Sequence, residues 1–160
     1  MIGKDLLGIA DGNFTIKSGT DGMKSTDDKD TTKGNIIIAG GTFKIEAASD
    51  GIQAENILDI QNGTFDITTG NGSAAVEMKS GDSGAMGGMG TMGVPGQNGS
   101  AGTSASSASI SSDTDSVSMK ALKASNAIYI CGGTITLDTE DDGIHSNESI
   151  TKERGNISNR

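Results

Sequence analysis

The amino-acid sequence predicts an all-β fold, a right-handed parallel β-helix with three short strands in each 22-residue turn. Apolar residues recur in i, i+2 pairs, the pattern of a strand with one buried face. The pairs repeat at a fixed interval: Phe43 and Phe65 lie 22 residues apart, as do Ile135 and Ile157. The composition of 25 Gly, 3 Phe, 1 Tyr and no Trp in 160 residues argues against a core filled with large rings. Small β-branched side chains stacked by a repeat supply a core instead.

The strand that carries the phenylalanines is the clearest predicted element. In each of four gapless segments, an apolar residue is followed seven positions later by Asp or by a Gly that replaces it. Successive turns rise by one strand spacing, about 4.8 Å, so equal positions stack. The two predicted inward ladders are Phe14, Phe43, Phe65 and Ile135, and Ile16, Ile45, Ile67 and Leu137.

Two further strands complete each turn. An apolar pair stands seven residues before the aromatic strand, as in Ile36 and Ile38, and a third apolar position follows the Asp-Gly corner. That third side is predicted to be Met23, Ile52, either Ala74 or Leu122, and Ile144. Glycine suits corners with positive φ, and a single Pro suits strands that nearly all donate to a neighbour. An antiparallel sandwich or meander also has short strands and Gly-rich turns, but it does not require a constant spacing.

Residues 1–160 are predicted to form a single β-helix domain, interrupted once. The Gly/Ser/Met-rich stretch 80–116 cannot bury enough apolar area to order itself, so we predict a flexible loop there. The repeat resumes at Lys120-Ala121-Leu122, with Lys120-Ala121 in the Asp-Gly slot. Because Leu7 already fits the repeat and Ile157 begins another turn, we expect a fragment of a longer solenoid.

Charge and residue counts exclude several classes of function. Twelve basic and 21 acidic residues give a formal charge of −9, which disfavours nucleic acid and anionic membranes as partners. No apolar run is long enough for a membrane helix, so we expect no membrane insertion. The single Cys131 excludes an internal disulfide and a Cys-rich zinc site. The single His145 argues against a triad based on histidine.

The Asp-Gly corners carry a family resemblance. Asp21-Gly22-Met23-Lys24-Ser25, Asp50-Gly51-Ile52-Gln53-Ala54 and Asp142-Gly143-Ile144-His145-Ser146 follow the aromatic or Ile strands. With the acidic insert Thr26-Asp27-Asp28-Lys29-Asp30 and the late Gly/Ser-rich stretch, they resemble the bacterial extracellular carbohydrate-binding β-helix domains, once a domain of unknown function. Lys120-Ala121 and Gly72-Ser73 depart from the pattern.

That resemblance implies a function. Members of the family are similar in fold to calcium-dependent pectate lyases and are associated with cellulose, acidic plant polysaccharide and surface calcium. The chain is therefore expected to be a secreted or surface-attached, non-catalytic module that binds an acidic pectic glycan such as polygalacturonate, with cellulose as a weaker expectation. The alternatives are a calcium-dependent polysaccharide lyase of the same fold and a structural surface adhesin.

The residues themselves also predict calcium. Calcium takes six to eight oxygen ligands from carboxylates and corner carbonyls, and stacked bare carboxylates repel unless a cation lies between them. The competing interpretation is that each Asp caps its own turn through an Asx hydrogen bond. The candidate metal ligands are Asp21, Asp27, Asp28, Asp30, Asp50, Asp141 and Asp142.

An outward row is the predicted sugar-binding strip. It consists of Lys24, Gln53, Lys123 and His145, one residue from each turn, and its competing interpretation is a solvated face. For a lyase, Lys24 or Lys123 would be the base that removes the proton at C5 of a uronate. A cellulose platform needs exposed aromatic faces, and only Tyr129 is a candidate.

Overall fold

The computed structural model describes residues 1–72 and 118–160, which form fifteen strands and no helix. The strands lie in three parallel five-stranded sheets. Sheet A has the order β1-β4-β7-β10-β13, sheet B the order β14-β11-β8-β5-β2, and sheet C the order β15-β12-β9-β6-β3. Each coil of the chain thus adds one strand to each sheet, and the predicted parallel β-helix with three strands per turn is confirmed.

The strand bounds follow the predicted repeat. They are β1 (Ile2–Gly3), β2 (Leu6–Ile9), β3 (Asn13–Ser18), β4 (Met23–Ser25), β5 (Asn35–Ile38), β6 (Thr42–Ala47), β7 (Ile52–Ala54), β8 (Ile57–Ile60), β9 (Thr64–Thr69), β10 (Leu122–Ala124), β11 (Ala127–Ile130), β12 (Thr134–Asp138), β13 (Ile144–Ser146), β14 (Ser149–Lys152) and β15 (Asn156–Asn159).

The inward ladders of sheet C are in the predicted register. Phe14, Phe43 and Phe65 pair in sequence across β3, β6 and β9. Their rings stack nearly parallel, with centroids 4.9 Å apart for Phe14–Phe43 and 4.7 Å for Phe43–Phe65. Phe65 then pairs with Ile135. The column is the centre of the core, in which Phe43 and Phe65 are fully buried.

The sequence leaves either Ala74 or Leu122 for the third side of the core, and the structure places Leu122 there. Leu122 pairs with both Ile52 and Ile144, so Leu122 completes the ladder that begins at Met23. The backbone N–H of Ile52 donates to the carbonyl of Ala121 at 2.9 Å, which confirms that Lys120-Ala121 occupies the Asp-Gly slot. Ala74 and the predicted loop at 80–116 lie outside the described residues.

Glycines serve two different purposes at the corners. The glycine that immediately precedes each sheet C strand has positive φ, as at Gly41 (118°), where an added Cβ would lie 2.8 Å from the carbonyl oxygen of Gly12. Gly51 of the Asp-Gly corner has no positive φ. A Cβ there would lie 2.5 Å from Ile67 Cγ2 and 2.6 Å from the carbonyl oxygen of Ala121. Close approach between coils, rather than φ, therefore selects glycine at that corner.

The last coil is the most exposed part of sheet B. Lys152 stands in register with Ile130, where the repeat predicts an inward apolar residue, and all four residues of β14 are exposed. Within residues 1–72 and 118–160, no helix has the length and hydrophobicity needed to span a bilayer.

Candidate functional site

The outer face of sheet A carries the row that the sequence singles out. Lys24, Gln53, Lys123 and His145 are the middle residues of β4, β7, β10 and β13, and they pair in that order. Their neighbours in each strand point inward, so these side chains project outward. We call these four residues the sheet A row. Its members stand about 4.8 Å apart along the helix axis, and their role in sugar binding stays a prediction.

Lys24 begins the row with two polar partners among the described residues. Its ammonium donates to Asp21 Oδ2 at 3.2 Å and to Gln53 Oε1 at 3.1 Å. Gln53 Nε2 in turn donates to Glu55 Oε1 at 3.1 Å. The lysine of one coil is therefore joined to the amide of the next, and the amide is oriented from both sides.

Asp50 is the most enclosed carboxylate of the site, at 1% exposure. Lys123 Nζ donates to its Oδ2 at 3.1 Å. Its Oδ1 accepts from Ser118 Oγ at 2.7 Å and from the backbone N–H of Lys120 at 2.9 Å. Burial of a carboxylate requires such partners. The Asp50 carboxylate thus holds the segment that begins at Ser118, and it is hydrogen-bonded instead of bare.

The last predicted acidic pair also has cationic neighbours. The Lys120 ammonium bonds Asp141 and lies 3.8 Å from Asp142 Oδ2. That hydrogen bond holds the pKa of Asp141 below its ordinary value, against the opposing effect of burial. His145 Nδ1 lies 3.4 Å from Asp142 Oδ2, and its Nε2 lies 3.2 Å from Asn147 Oδ1.

The acidic insert lies at the other end of β4. β4 (Met23–Ser25) separates Asp21 from Asp27, so the insert leaves the corner between sheets A and B instead of the corner that holds Asp21. Asp27 Oδ1 accepts the N–H groups of Lys29 and Asp30 at 3.1 and 3.2 Å. The bond from Lys29 is the main reason that the pKa of Asp27 is lowered.

Asp30 repeats this capping. Its Oδ1 accepts both the hydroxyl and the N–H of Thr32, at 2.7 and 3.0 Å, and the hydroxyl bond is the larger cause of its lowered pKa. Asp28 is exposed. Asp27 and Asp30 therefore cap their own turns, as the competing interpretation of the acidic residues predicts.

These contacts do not form a ready calcium site. In residues 1–72 and 118–160, no three acidic, histidine or cysteine side chains converge as metal ligands. The cations next to Asp21 and Asp50 are the lysine ammonium groups of Lys24 and Lys123. Calcium binding therefore stays a prediction.

The outer face of sheet C carries a groove that the sequence does not predict. It measures about 670 Å³, and its lining includes Lys17, Lys44, Glu46, Asp66 and Arg160. Lys17 Nζ lies 2.6 Å from Glu46 Oε2 and lowers the pKa of that carboxyl, and Arg160 Nη1 lies 3.4 Å from Asp66 Oδ1. Unlike residues share the outward rows that line this groove, as in Lys44 beside Asp66 and Lys17 beside Glu46. Its three cations, Lys17, Lys44 and Arg160, each form an ion pair with one of its two carboxylates.

The fold and these outer faces define a class of protein, a β-solenoid with ordered rows of side chains on its outer faces. A family model described as "Carbohydrate-binding domain-containing protein" matches residues 1–160, and the chain belongs to that family. The predicted carbohydrate-binding resemblance is confirmed at that level. No curated protein and no solved structure gave a significant match.

Proposed function

We propose that the protein is a non-catalytic module that binds an acidic polysaccharide along the sheet A row. The observation that carries the proposal is the register of Lys24, Gln53, Lys123 and His145, which places one polar side chain on each of four successive coils. On the first coil, Ile2 stands in the same row. A strand spacing of about 4.8 Å is close to the length of one pyranose unit. Successive sugars of an extended chain would thus meet successive coils, within the carbohydrate-binding role of the family.

The hydrogen bonds of the lysines support an acidic ligand. An ammonium group has three N–H donors. Among the described residues, Lys24 Nζ uses two of them on Asp21 and Gln53, and Lys123 Nζ uses two on Asp50 and Ser118. One donor of each ammonium is left to meet a uronate carboxylate in a charge-assisted hydrogen bond. Because the paired carboxylates fix both lysines, little side-chain entropy is lost on binding.

The same contacts disfavour the lyase alternative. A base that removes the C5 proton must hold a free lone pair aimed at that proton. Lys24 and Lys123 both act as donors, and each has one carboxylate among its acceptors, Asp21 for Lys24 and Asp50 for Lys123. The proposal therefore assigns them to binding, and no catalytic residue is named. Secretion or surface attachment and calcium assistance are further parts of the proposal, and they rest on the family resemblance.

Affinity electrophoresis in gels that contain polygalacturonate tests the proposal. Migration of the wild type should be retarded, and Lys24→Gln should lose most of the retardation because it removes one ammonium from the row. Lys44→Gln is the matched control, since Lys44 is an exposed lysine on sheet C. The same electrophoresis repeated with a chelator tests separately whether calcium assists binding. No retardation of the wild type would favour a structural adhesin, and equal retardation of both variants would place the binding site outside the sheet A row. Release of unsaturated uronate, abolished by Lys24→Ala, would establish the lyase.

A further inference from the structure

Two corners between sheets B and C hold a glycine N–H against the side chain of the residue before it. The N–H of Gly63 donates to Asn62 Oδ1 at 2.9 Å. The same kind of bond joins Gly12 to Asp11, at 2.8 Å. The φ angles of the two glycines are similar, 132° and 138° respectively. Because a C=O bond is about 1.2 Å long, an oxygen at this distance also keeps its carbonyl carbon close to the glycine nitrogen.

Three other glycines that follow Asn or Asp are bonded differently. Each donates its N–H to the backbone carbonyl of another residue, Gly72 to Thr69 at 3.0 Å, Gly22 to Asp50 at 2.9 Å and Gly51 to Lys120 at 2.8 Å. An N–H that points at such a carbonyl does not point at the side chain before it. The described residues contain two Asn-Gly sequences, and the bond to the preceding amide forms at Asn62-Gly63 but not at Asn71-Gly72. A third, Asn98-Gly99, lies outside the described residues.

An asparagine amide held beside the next backbone nitrogen can close a five-membered ring. The Gly63 nitrogen forms a bond to Asn62 Cγ while the bond from Cγ to the side-chain nitrogen breaks. The proton of the Gly63 N–H leaves with that side-chain nitrogen as ammonia, and the product is a cyclic imide. Water then opens the ring: hydrolysis at Cγ gives aspartate, and hydrolysis at the backbone carbonyl gives isoaspartate. Water is the co-reactant, and no atom is oxidised or reduced.

Asn62 suits this reaction better than Asp11 does. Both side chains are exposed, so water reaches both corners. A carboxylate is a weaker electrophile than a neutral amide, however, so the Asp11 corner closes its ring more slowly. Asparagine is also among the residues that heat degrades most readily. The hydrogen bond at Asn62 adds the orientation of the two reacting groups, which raises the rate of a reaction within one molecule.

We propose that Asn62 is a site of self-modification, which the Gly63 nitrogen converts to isoaspartate and aspartate through a cyclic imide. The products carry a new negative charge at an exposed corner, and isoaspartate adds one carbon atom to the backbone. The next coil packs closely there, since a Cβ added at Gly133 would lie 2.5 Å from the Gly63 carbonyl oxygen. A longer backbone at position 62 therefore weakens this contact between coils. The site shares no residue with the sheet A row, so it is independent of the proposed function.

Storage of the folded protein in heavy-oxygen water, followed by chymotrypsin digestion and mass spectrometry, tests this site. Chymotrypsin cleaves after Phe65, so Asn62 and Asn71 fall in different peptides. The Asn62 peptide should lose its amide and gain one heavy oxygen atom about tenfold faster than the Asn71 peptide. Electron-transfer fragmentation should identify isoaspartate at position 62.

Two comparisons separate the effect of the folded geometry from that of the sequence. In concentrated urea, both Asn-Gly sequences lose their folded contacts and should react at similar rates. Asn62→Gln should show no change at position 62, because glutamine would have to close a six-membered ring, and it should leave the rate at Asn71 unaltered. Storage should lower the thermal unfolding midpoint of the wild type and not that of Asn62→Gln. Equal rates at Asn62 and Asn71 in the folded protein would overturn the proposal. So would an Asn62 that stays intact in the folded protein while it reacts in urea.

Discussion

Asp50 and Lys123 form an ion pair between consecutive coils, with 3.1 Å between Oδ2 and Nζ. They stand 73 positions apart in the sequence, and the undescribed residues 73–117 lie between them. The same carboxylate accepts from Ser118 and from the N–H of Lys120. One buried aspartate therefore fixes both the start of the fourth coil and one lysine of the sheet A row, so the row depends on the core that lies beneath it.

Removal of the Asp50 carboxylate should destabilise the fold. Asp50→Ala leaves the hydroxyl of Ser118, the N–H of Lys120 and the Lys123 ammonium without their acceptor, and we expect a loss of about 3 kcal/mol in the free energy of unfolding. Urea denaturation followed by circular dichroism measures it. Asp11→Ala is the control, because Asp11 is exposed and its carboxylate caps the adjacent Gly12. Equal unfolding midpoints for both variants would contradict this role of Asp50.

The phenylalanine column should show a gradient of stability. Phe43 has a ring stacked on each side and is 1% exposed, so Phe43→Ala should cost about 4 kcal/mol through lost transfer free energy and a cavity. Phe14 has one stacked neighbour and is half-buried, so Phe14→Ala should cost about half as much. Chemical denaturation of the two variants under the same condition measures both losses in the free energy of unfolding. A larger loss at Phe14 than at Phe43 would mean that the column does not carry the core.

Glycine at the corner between sheets B and C should be irreplaceable. Gly41→Ala forces a side chain into positive φ and against the Gly12 carbonyl, and we expect a loss of about 1–3 kcal/mol. Gly8 is the matched control, since an added Cβ at that strand position meets no atom within 4 Å. Gly8→Ala should change stability by no more than about 0.5 kcal/mol. Thermal unfolding compares the two, and a tolerated Gly41→Ala would refute the steric account of this corner.

The lowered pKa values of Asp27, Asp30 and Asp141 predict the acid response. Each of these carboxyls has a lower pKa in the folded state than in the unfolded state. Its contribution to stability is therefore complete when the pH is above the unfolded-state pKa, and it is lost as the pH falls through the folded-state pKa. Stability should therefore decline below about pH 4. Asp141→Asn should make urea midpoints less steep in pH over that range, because it removes the carboxylate that Lys120 bonds. An unchanged slope would contradict the assignment to Asp141.

The repeat in the sequence predicts the fold almost completely. The 22-residue spacing of Phe43 and Phe65 determines which residues stack, because each coil must return to the same register. The acidic corners were harder to interpret. Stacking alone suggests that Asp21 and Asp50 repel, whereas the structure shows that lysines turn back toward them. The i, i+3 spacing of Asp21 and Lys24 is enough to predict their ion pair. The spacing of Asp50 and Lys123 does not predict theirs, because the two residues lie on different coils and an insertion separates them in the sequence.

The handedness of the coil stays a prediction, and so do the nature of the glycan and the role of calcium. The sheet C groove was not predicted because Lys44 and Asp66 share one outward row with opposite charges. A repeat reveals positions that must be alike to pack, whereas surface charges are free to differ from coil to coil. The core was therefore predictable residue by residue, whereas for the outer faces the repeat predicts which side chains point outward but not their ion-pair partners.

Backbone amide NMR of the protein titrated with hexagalacturonate tests the central claim most directly. The account predicts that the largest shift changes follow the outer face of sheet A, at Lys24, Gln53, Lys123 and His145, and that Lys24→Gln weakens the response. Shift changes confined to the sheet C groove around Lys44 and Asp66, or none at saturating sugar, would contradict it.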